Sequence, residues 1–219
     1  MRSLRRLATA AALGALAACG ASCAIPAWLA AQFAPPKKVD AEYKPPEDKT
    51  ILVFVDDLLN PVSSDQIKIE LTNKLNELLA ANKVAGQTIP YSRLADLVSA
   101  SPKFNELAVS QVGQKLQADM VLYVRIDDFA LKDPSAPMLW KGRLGVTVRM
   151  VDSQKGRLWP TDRPDGYTVP NFETPVTPAE SADDQADELI KTLAANVADR
   201  VAKLFYDHTT PHEGGWTGP

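Results

Sequence analysis

The sequence predicts an α/β (α+β) domain: a mixed sheet of about five strands with helices packed on it. Three observations carry that prediction. The apolar segment TILVFVDD, Thr50 to Asp57, runs into a stretch with helical periodicity. Two later segments, 118–131 and 138–153, alternate apolar and polar side chains over strand-length runs. A last stretch, 177–205, repeats apolar residues at helical spacing.

Taken in order, Thr50–Asp57 is a run of β-favouring residues flanked by charge, the pattern of a strand buried on both faces. Ser63-Ser64-Asp65 offers helix N-caps. Ile67, Leu71, Leu75, Leu78, Leu79 and Asn82 then recur at helical spacing, with Lys68, Glu70, Lys74 and Glu77 elsewhere, which predicts an amphipathic helix of about 18 residues closed by Gly86. QTIPYS is a short strand that Pro90 confines to an edge or an end. Ser92 caps a short helix, Arg93 to Val98, and Ser101-Pro102 starts another with Phe104, Leu107, Val109, Val112 and Leu116 as its stripe. In ADMVLYVRIDDFAL, Val121, Tyr123 and Arg125 alternate with Leu122, Val124 and Ile126. In MLWKGRLGVTVRMVDS, Leu144, Val146, Val148 and Met150 alternate with Arg143, Thr147 and Arg149. Gln154-Lys155-Gly156 makes a hairpin turn into the broken strand RLWPTDRPDGYTV, with a loop at Arg163 to Gly166. Thr177-Pro178 opens the closing helix, with Pro at its permitted first turn and Leu189, Leu193, Val197, Val201, Leu204 and Phe205 on one face.

The amino terminus has the parts of an export signal. Arg2, Arg5 and Arg6 precede the apolar run Leu7 to Ala18, and both cysteines, Cys19 and Cys23, follow it closely. The run is about a dozen residues, short of the roughly 20 that span a bilayer core. Leu16-Ala17-Ala18-Cys19 resembles the bacterial lipobox, which implies cleavage before Cys19 and lipidation of its thiol. Acyl chains such as palmitate hold a protein by about 0.8 kcal/mol per buried CH₂, and more than one chain makes a stable anchor. Cys23 fits the box less well, because Gly20 stands where it has Leu. Ordinary cleavage after an Ala-x-Ala, leaving two thiols and a soluble exported domain, is the alternative. The residues around Arg5-Arg6 do not fit a twin-arginine signal.

This divides the chain into a signal peptide, 1–18, a Pro-rich membrane tether, 19–49, a globular α/β domain, 50–207, and a disordered tail, 208–219. Pro35-Pro36 and Pro45-Pro46 favour extended backbone in the tether. With Cys19 acylated, only Cys23 is left, so no disulfide framework holds the domain. The whole chain carries a net charge of −3, and loss of the three signal arginines makes the mature protein more acidic still. Nucleic acid, bound by neutralising phosphates, is excluded as a partner on that balance.

The order of elements and the local text resemble a group of periplasmic lipoprotein domains: the curli-secretion-channel family, the TolB amino-terminal-like domain and the lipoprotein activators of peptidoglycan synthases. The matching segments are IKIELTNKLNELL, TIPYSRLADLV, the junction Gln117-Ala118-Asp119 and MVLYVRIDDF, so the resemblance covers about Thr50 to Phe129. It implies a non-enzymatic module, without cofactor, that binds envelope proteins or associates with itself. It also implies the periplasmic face of a bacterial membrane. Gly20 after the cysteine, where Asp is absent, favours the outer membrane by the enteric sorting rule. PSAPMLWKGRLGV is too polar and Pro-broken for the membrane-inserting hairpin of the channel type.

Candidate chemistry is sparse. Asp56-Asp57 and Asp127-Asp128 each follow an apolar strand. If those strands are parallel neighbours, their carboxylates meet at one sheet edge and could hold Mg²⁺ or Ca²⁺, which makes a metal-dependent hydrolase using Asp57 and Asp128 the alternative function. Against it, Asp commonly ends strands and starts turns, and neighbouring strand residues point to opposite faces. His208 and His212 lie in or beside the tail, away from any rigid scaffold for a nucleophile dyad. DDLLNPVSSD lacks the glycines and lysine of a phosphate loop. Trp140, Arg143, Arg157, Trp159 and Tyr167 interleave aromatics with arginines, a composition suited to a protein interface or to an ordinary sheet face.

Overall fold

The computed structural model describes residues 37–59, 61–178 and 182–210. The signal peptide, Cys19 and Cys23, most of the tether and residues 211–219 lie outside the described residues.

Strand β2 (Thr50–Asp56) is the hub of the sheet. Ile51, Leu52 and Val53 are all fully buried, so both of its faces are covered, as its unbroken apolar run demands. Helix α1 (Gln66–Ala81) follows, with Ile67, Leu71, Leu75 and Leu79 buried along one stripe. It ends with Lys83 in the left-handed region at φ 56°, and the Val84 N–H donates to the Leu79 carbonyl at 2.9 Å. β3 (Gln87–Ile89) pairs parallel with β2 on the sheet's edge, and Pro90 ends it. Helix α2 (Tyr91–Ala100) starts directly after Pro90, not at Ser92. The expected helix from Ser101 is two pieces: a 3₁₀ turn, Phe104–Glu106, and α3 (Val109–Lys115), separated by extended backbone at Leu107 and Ala108.

β4 (Met120–Asp133) lies parallel to β2 on its other side, and β5 (Ala136–Asp152) returns antiparallel to β4. The far edge of β5 is shared by three segments. β6 (Gly156–Trp159) pairs with Met150–Asp152, β7 (Tyr167–Glu173) with Arg143–Val148, and β8 (Thr177–Pro178) with Leu139–Trp140. The mixed sheet is thus five strand positions wide, in the order β3-β2-β4-β5 and then the shared edge. Thr177-Pro178 therefore does not open the closing helix. It belongs to an edge strand, where the missing N–H of Pro is tolerated, and α4 runs from Ala182 to Ala202.

One face of the sheet, carrying Val53, Leu122, Ile126, Leu144, Val148 and Met150, packs on α1 and on α4 through Ile190, Leu193, Val197 and Val201. The other face is covered at one end only. There Leu52, Val121 and Val151 pack beneath α2 and α3 through Leu94, Val112 and Leu116. The Ala118-Asp119 junction ties three elements together. Thr50 N–H donates to Asp119 Oδ2 at 2.9 Å, Asp119 N–H to the Thr50 carbonyl at 3.0 Å, and Ser153 N–H to the Asp119 carbonyl at 3.0 Å.

Two compact units divide the chain, and the main one spans Asp40–Asp207 instead of starting at Thr50. The end of the expected tether packs as part of it. Tyr43 stacks on Trp159 with ring centroids 6.4 Å apart, its N–H donates to the Leu204 carbonyl at 3.1 Å, and Pro45 is buried. In the other unit β1 (Lys37–Val39) pairs antiparallel with β9 (His208–Thr210), so these residues are strand where coil was expected.

Candidate binding face and strand-end cleft

The premise of the metal-site reading holds. β2 and β4 are parallel neighbours, with Asp56 opposite Arg125. The four carboxylates nonetheless take four separate sets of partners, and Asp57 is on the other side of the sheet from the rest. Asp57 turns toward α1, where Oδ1 meets Lys68 Nζ at 3.0 Å and Oδ2 accepts the Val62 N–H at 3.0 Å. Burial raises the Asp57 pKa, but the Val62 N–H and the Lys68 ammonium outweigh it and hold the carboxyl below its ordinary range. Lys68 is itself held above its ordinary value: burial lowers it, and Asp65 and Asp57 together more than compensate. Asp56 accepts the Tyr123 hydroxyl and, at 3.0 Å, the Leu58 N–H.

Asp127 and Asp128 break the expected alternation. Ile126 pairs with Val146 and Asp128 with Gly145, so Asp127 is an extra residue in β4, a β-bulge. The bulge turns both carboxylates to the same face. Asp127 takes Arg125 Nε at 2.7 Å and the Thr147 hydroxyl, and Asp128 takes Arg143 Nη2 at 3.1 Å and Asn171 Nδ2 at 3.3 Å. Gly145 makes room for this cluster, because a Cβ there would overlap the Asn171 amide. Each carboxylate has a cation or a hydroxyl as partner, and among the described residues no group of three His, Cys, Asp or Glu is placed to hold a metal ion. Asp57 and Asp128, the pair expected to share a metal, lie on opposite sides of the sheet.

Beyond the reach of α2 and α3, the second sheet face is therefore polar and charge-balanced. Phe54 and Asp56 of β2, Tyr123, Arg125 and Asp127 of β4, and Thr147 and Arg149 of β5 lie side by side by strand register. Arg149 sits over the Tyr123 ring, 4.8 Å from its centroid, and Phe54 meets that ring edge-on at 5.5 Å. Burial first, then the Asp56 hydrogen bond, pushes the Tyr123 pKa up to about 12, so the phenol is a fixed donor. The alternation in the sequence puts Tyr123, Arg125 and Arg149 opposite the apolar face, but it does not mark them as one site; that takes the pairing of β2, β4 and β5.

The five expected interface residues do not form one patch. Trp159 is core: it stacks between Tyr43 and Tyr167, at 5.3 Å from the latter, and meets Phe205 edge-on at 5.5 Å. Tyr167 packs on the same core cluster and carries Arg163 at 4.9 Å. Arg157 donates to the Pro164 carbonyl at 2.6 Å, closing the loop. Arg143 lies on the opposite, polar face with Asp128. Trp140 is also buried, belongs to neither core cluster and carries the Lys132 ammonium at 5.1 Å. Both tryptophans are structural, since their surfaces are already spent inside the chain.

At the carboxyl end of β2 a cleft of about 340 Å³ opens among Phe54, Asp57, Lys68, Tyr91, Val98 and Phe104. Carboxyl ends of parallel strands are where open α/β sheets place ligands. Here two of the polar groups on its wall, Asp57 and Lys68, are bonded to one another.

No protein-family model matches the chain, and no curated protein matches it. Solved structures do resemble it. The PelC dodecamer from Paraburkholderia phytofirmans is 12% identical at a TM-score of 0.39, covering 77% of this chain and 96% of that one. Lipoprotein GNA1162 from Neisseria meningitidis is 14% identical at a TM-score of 0.40, covering 70% and 98%. A minor lipoprotein from Acinetobacter baumannii is 13% identical at 0.37, covering 70% and 87%. At these identities and scores the likenesses stand as similarities and carry no argument about site or function.

Proposed function

We propose that the chain is a membrane-anchored envelope lipoprotein whose α+β domain binds or assembles proteins and catalyses no reaction. The observation that carries this is the order Arg2, Arg5, Arg6, an apolar run, then Leu16-Ala17-Ala18-Cys19. Lipid on Cys19 holds the protein on the periplasmic side, Gly20 favours the outer membrane, and the Pro-containing segment before Lys37 spaces the domain from the bilayer. The resemblance of Thr50–Phe129 to TolB amino-terminal-like and curli-channel domains supports the same reading through sequence pattern. Among the described residues no helix is long and apolar enough to cross a membrane.

Intact-mass analysis of the mature protein tests the anchor. The expected product starts at a diacylglycerol-bearing Cys19 and partitions with detergent, and Cys19→Ser moves the chain to the soluble fraction. An unmodified product starting at Met1 among cytosolic proteins overturns the proposal. Photo-crosslinking from Arg125 and Arg149 in intact envelopes tests the binding role, with a discrete protein adduct as the expected result.

A further inference from the structure

β2 ends at Asp56, opposite Arg125, but β4 continues to Asp133. The last part of β4 pairs with β5 on its inner side. Among the described residues, Asp128–Lys132 has no strand on its outer side, and no backbone hydrogen bond joins it to any element but β5. Every second residue of that segment aims its N–H and C=O away from β5. Such a row is a template for another strand unless something blocks it. The bulge at Asp127 lies before this segment, and the register break after Ala130 falls in β5, from Arg143 to Trp140, so Asp128–Lys132 is itself regular. Phe129 and Leu131 point to the core face, while Asp128, Ala130 and Lys132 point to the other.

The segment is complementary to itself. Laid antiparallel on a second copy with Ala130 opposite Ala130, it sets Asp128 opposite Lys132 twice and Phe129 opposite Leu131 twice. Shifting by one residue would turn one copy's apolar side chains to the polar face. Asp127, opposite Asp133 in this register, is already tied back to Arg125 and Thr147. Pro134 falls opposite Ile126, so the β4–β5 turn of each copy reaches the end of β2 in the other. That is where exposed apolar groups gather: Leu58 and Leu59 are 57% and 69% exposed just after β2, and Met138, 86% exposed, stands beside the turn. Exposed apolar clusters of this kind mark association sites.

We propose that Asp128–Lys132 pairs antiparallel with the same segment of a second copy, centred on Ala130, joining two sheets into one across a two-fold axis. An isologous contact of this kind closes at two copies and removes the open edge. The inference rests on the assembly part of the reading above and names its partner; it does not depend on the lipid.

The test uses the full mature chain in detergent with Cys23→Ser as background. Cα atoms facing each other across an antiparallel pair are about 4.5–5.5 Å apart, within disulfide range. Ala130→Cys is therefore expected to give a disulfide-linked dimer on oxidation, and Ser135→Cys, which faces Arg125, to stay uncrosslinked. Lys132→Asp, which sets Asp against Asp128 twice, is expected to weaken the dimer at least about tenfold in sedimentation. Melting curves matching the background protein exclude misfolding of these variants, at half-buried Ala130 and exposed Lys132 and Ser135. A monomer at every concentration, with no Ala130→Cys product, overturns self-association and leaves the anchor untouched. A dimer in which Ala130→Cys links no better than Ser135→Cys overturns the edge pairing alone and keeps an assembly through another surface.

Discussion

Gly113 of α3 offers a test whose sign, not only its size, separates two physical accounts. Ala favours a helix interior over Gly by about 1 kcal/mol, so propensity alone makes Gly113→Ala stabilising. The packing says the reverse. A Cβ at Gly113 would overlap Ser153 Oγ and lie 2.7 Å from Val121 Cγ2. Ser153 cannot step aside freely, being 2% exposed with its Oγ donating to the Ala118 carbonyl at 2.6 Å. Overpacking of this kind costs about 1–3 kcal/mol, and losing a buried hydrogen bond costs about 1–3 kcal/mol more if the serine is pushed away. Set against the helix gain, the expected net loss with the serine displaced is about 1–5 kcal/mol, read as a lower urea midpoint at unchanged slope. A double-mutant cycle with Ser153→Ala sharpens it. Removing the hydroxyl should shrink the cost of Gly113→Ala by about 1 kcal/mol, with the Val121 contact left as the remainder. Stabilisation by Gly113→Ala, or strict additivity with Ser153→Ala, would refute the close approach of α3 to the sheet.

Lys83 at φ 56° and Gln117 at φ 60° hold left-handed backbone at helix ends, so Lys83→Gly and Gln117→Gly should each raise stability by about 0.5–1 kcal/mol in denaturant melts. Trp159→Ala should cost about 3–5 kcal/mol, because the ring is packed among Tyr43, Tyr167 and Phe205; thermal unfolding checks it. Asp57→Asn keeps an acceptor for the Val62 N–H and removes only the charge facing Lys68, at a cost of about 1 kcal/mol at neutral pH. The folded Asp57 pKa lies below its ordinary 3.8, so this contribution is complete above that value and fades as pH falls through the folded pKa. The gap between wild type and Asp57→Asn should therefore hold at pH 5–7 and close in acid.

The sheet and its main helices were legible because burial imposes a period. Leu122, Val124 and Ile126 against Tyr123 and Arg125 state the two faces of β4, and Ile67, Leu71, Leu75 and Leu79 state the inner stripe of α1. Boundaries were less legible where a residue fits two roles. Thr177-Pro178 suits a helix start, and it equally suits an edge strand, where β5 offered a partner. Residues 40–49 read as tether because their prolines exclude helix, but Tyr43 stacks on Trp159 and Pro45 is buried, which no local period reports. Trp140 and Trp159 read as interface by composition. Only three-dimensional packing shows that their surfaces are already used.

The two Asp pairs show why the site was harder to read than the fold. Strict alternation sends one residue of each pair to each face, and Asp56-Asp57 obeys: Asp56 meets Tyr123 on the polar face, and Asp57 meets Lys68 beneath α1. Asp127-Asp128 disobeys because one inserted residue resets the parity of β4, an event invisible to any period-two pattern. The consequence runs past these two residues. Without the reset, Asp128, Ala130 and Lys132 would turn toward the core, and Phe129 and Leu131 toward the polar face. With it, the outer segment keeps its apolar residues on α4's side of the sheet while its charges join Arg143 and Arg125 on the open face. The bulge is thus what makes that segment an edge whose charges can meet those of another strand. Deleting Asp127 should remove the bulge and leave a regular ladder in which Asp128 still faces Gly145 and Phe129 and Leu131 stay on the core side. The expected loss is about 1–3 kcal/mol, from the Asp127 contacts with Arg125 and Thr147 and not from the core. If the deletion instead costs what burying Phe129 and Leu131 is worth, about 3–6 kcal/mol, the parity argument fails, and with it the placement of every side chain from Asp128 to Lys132.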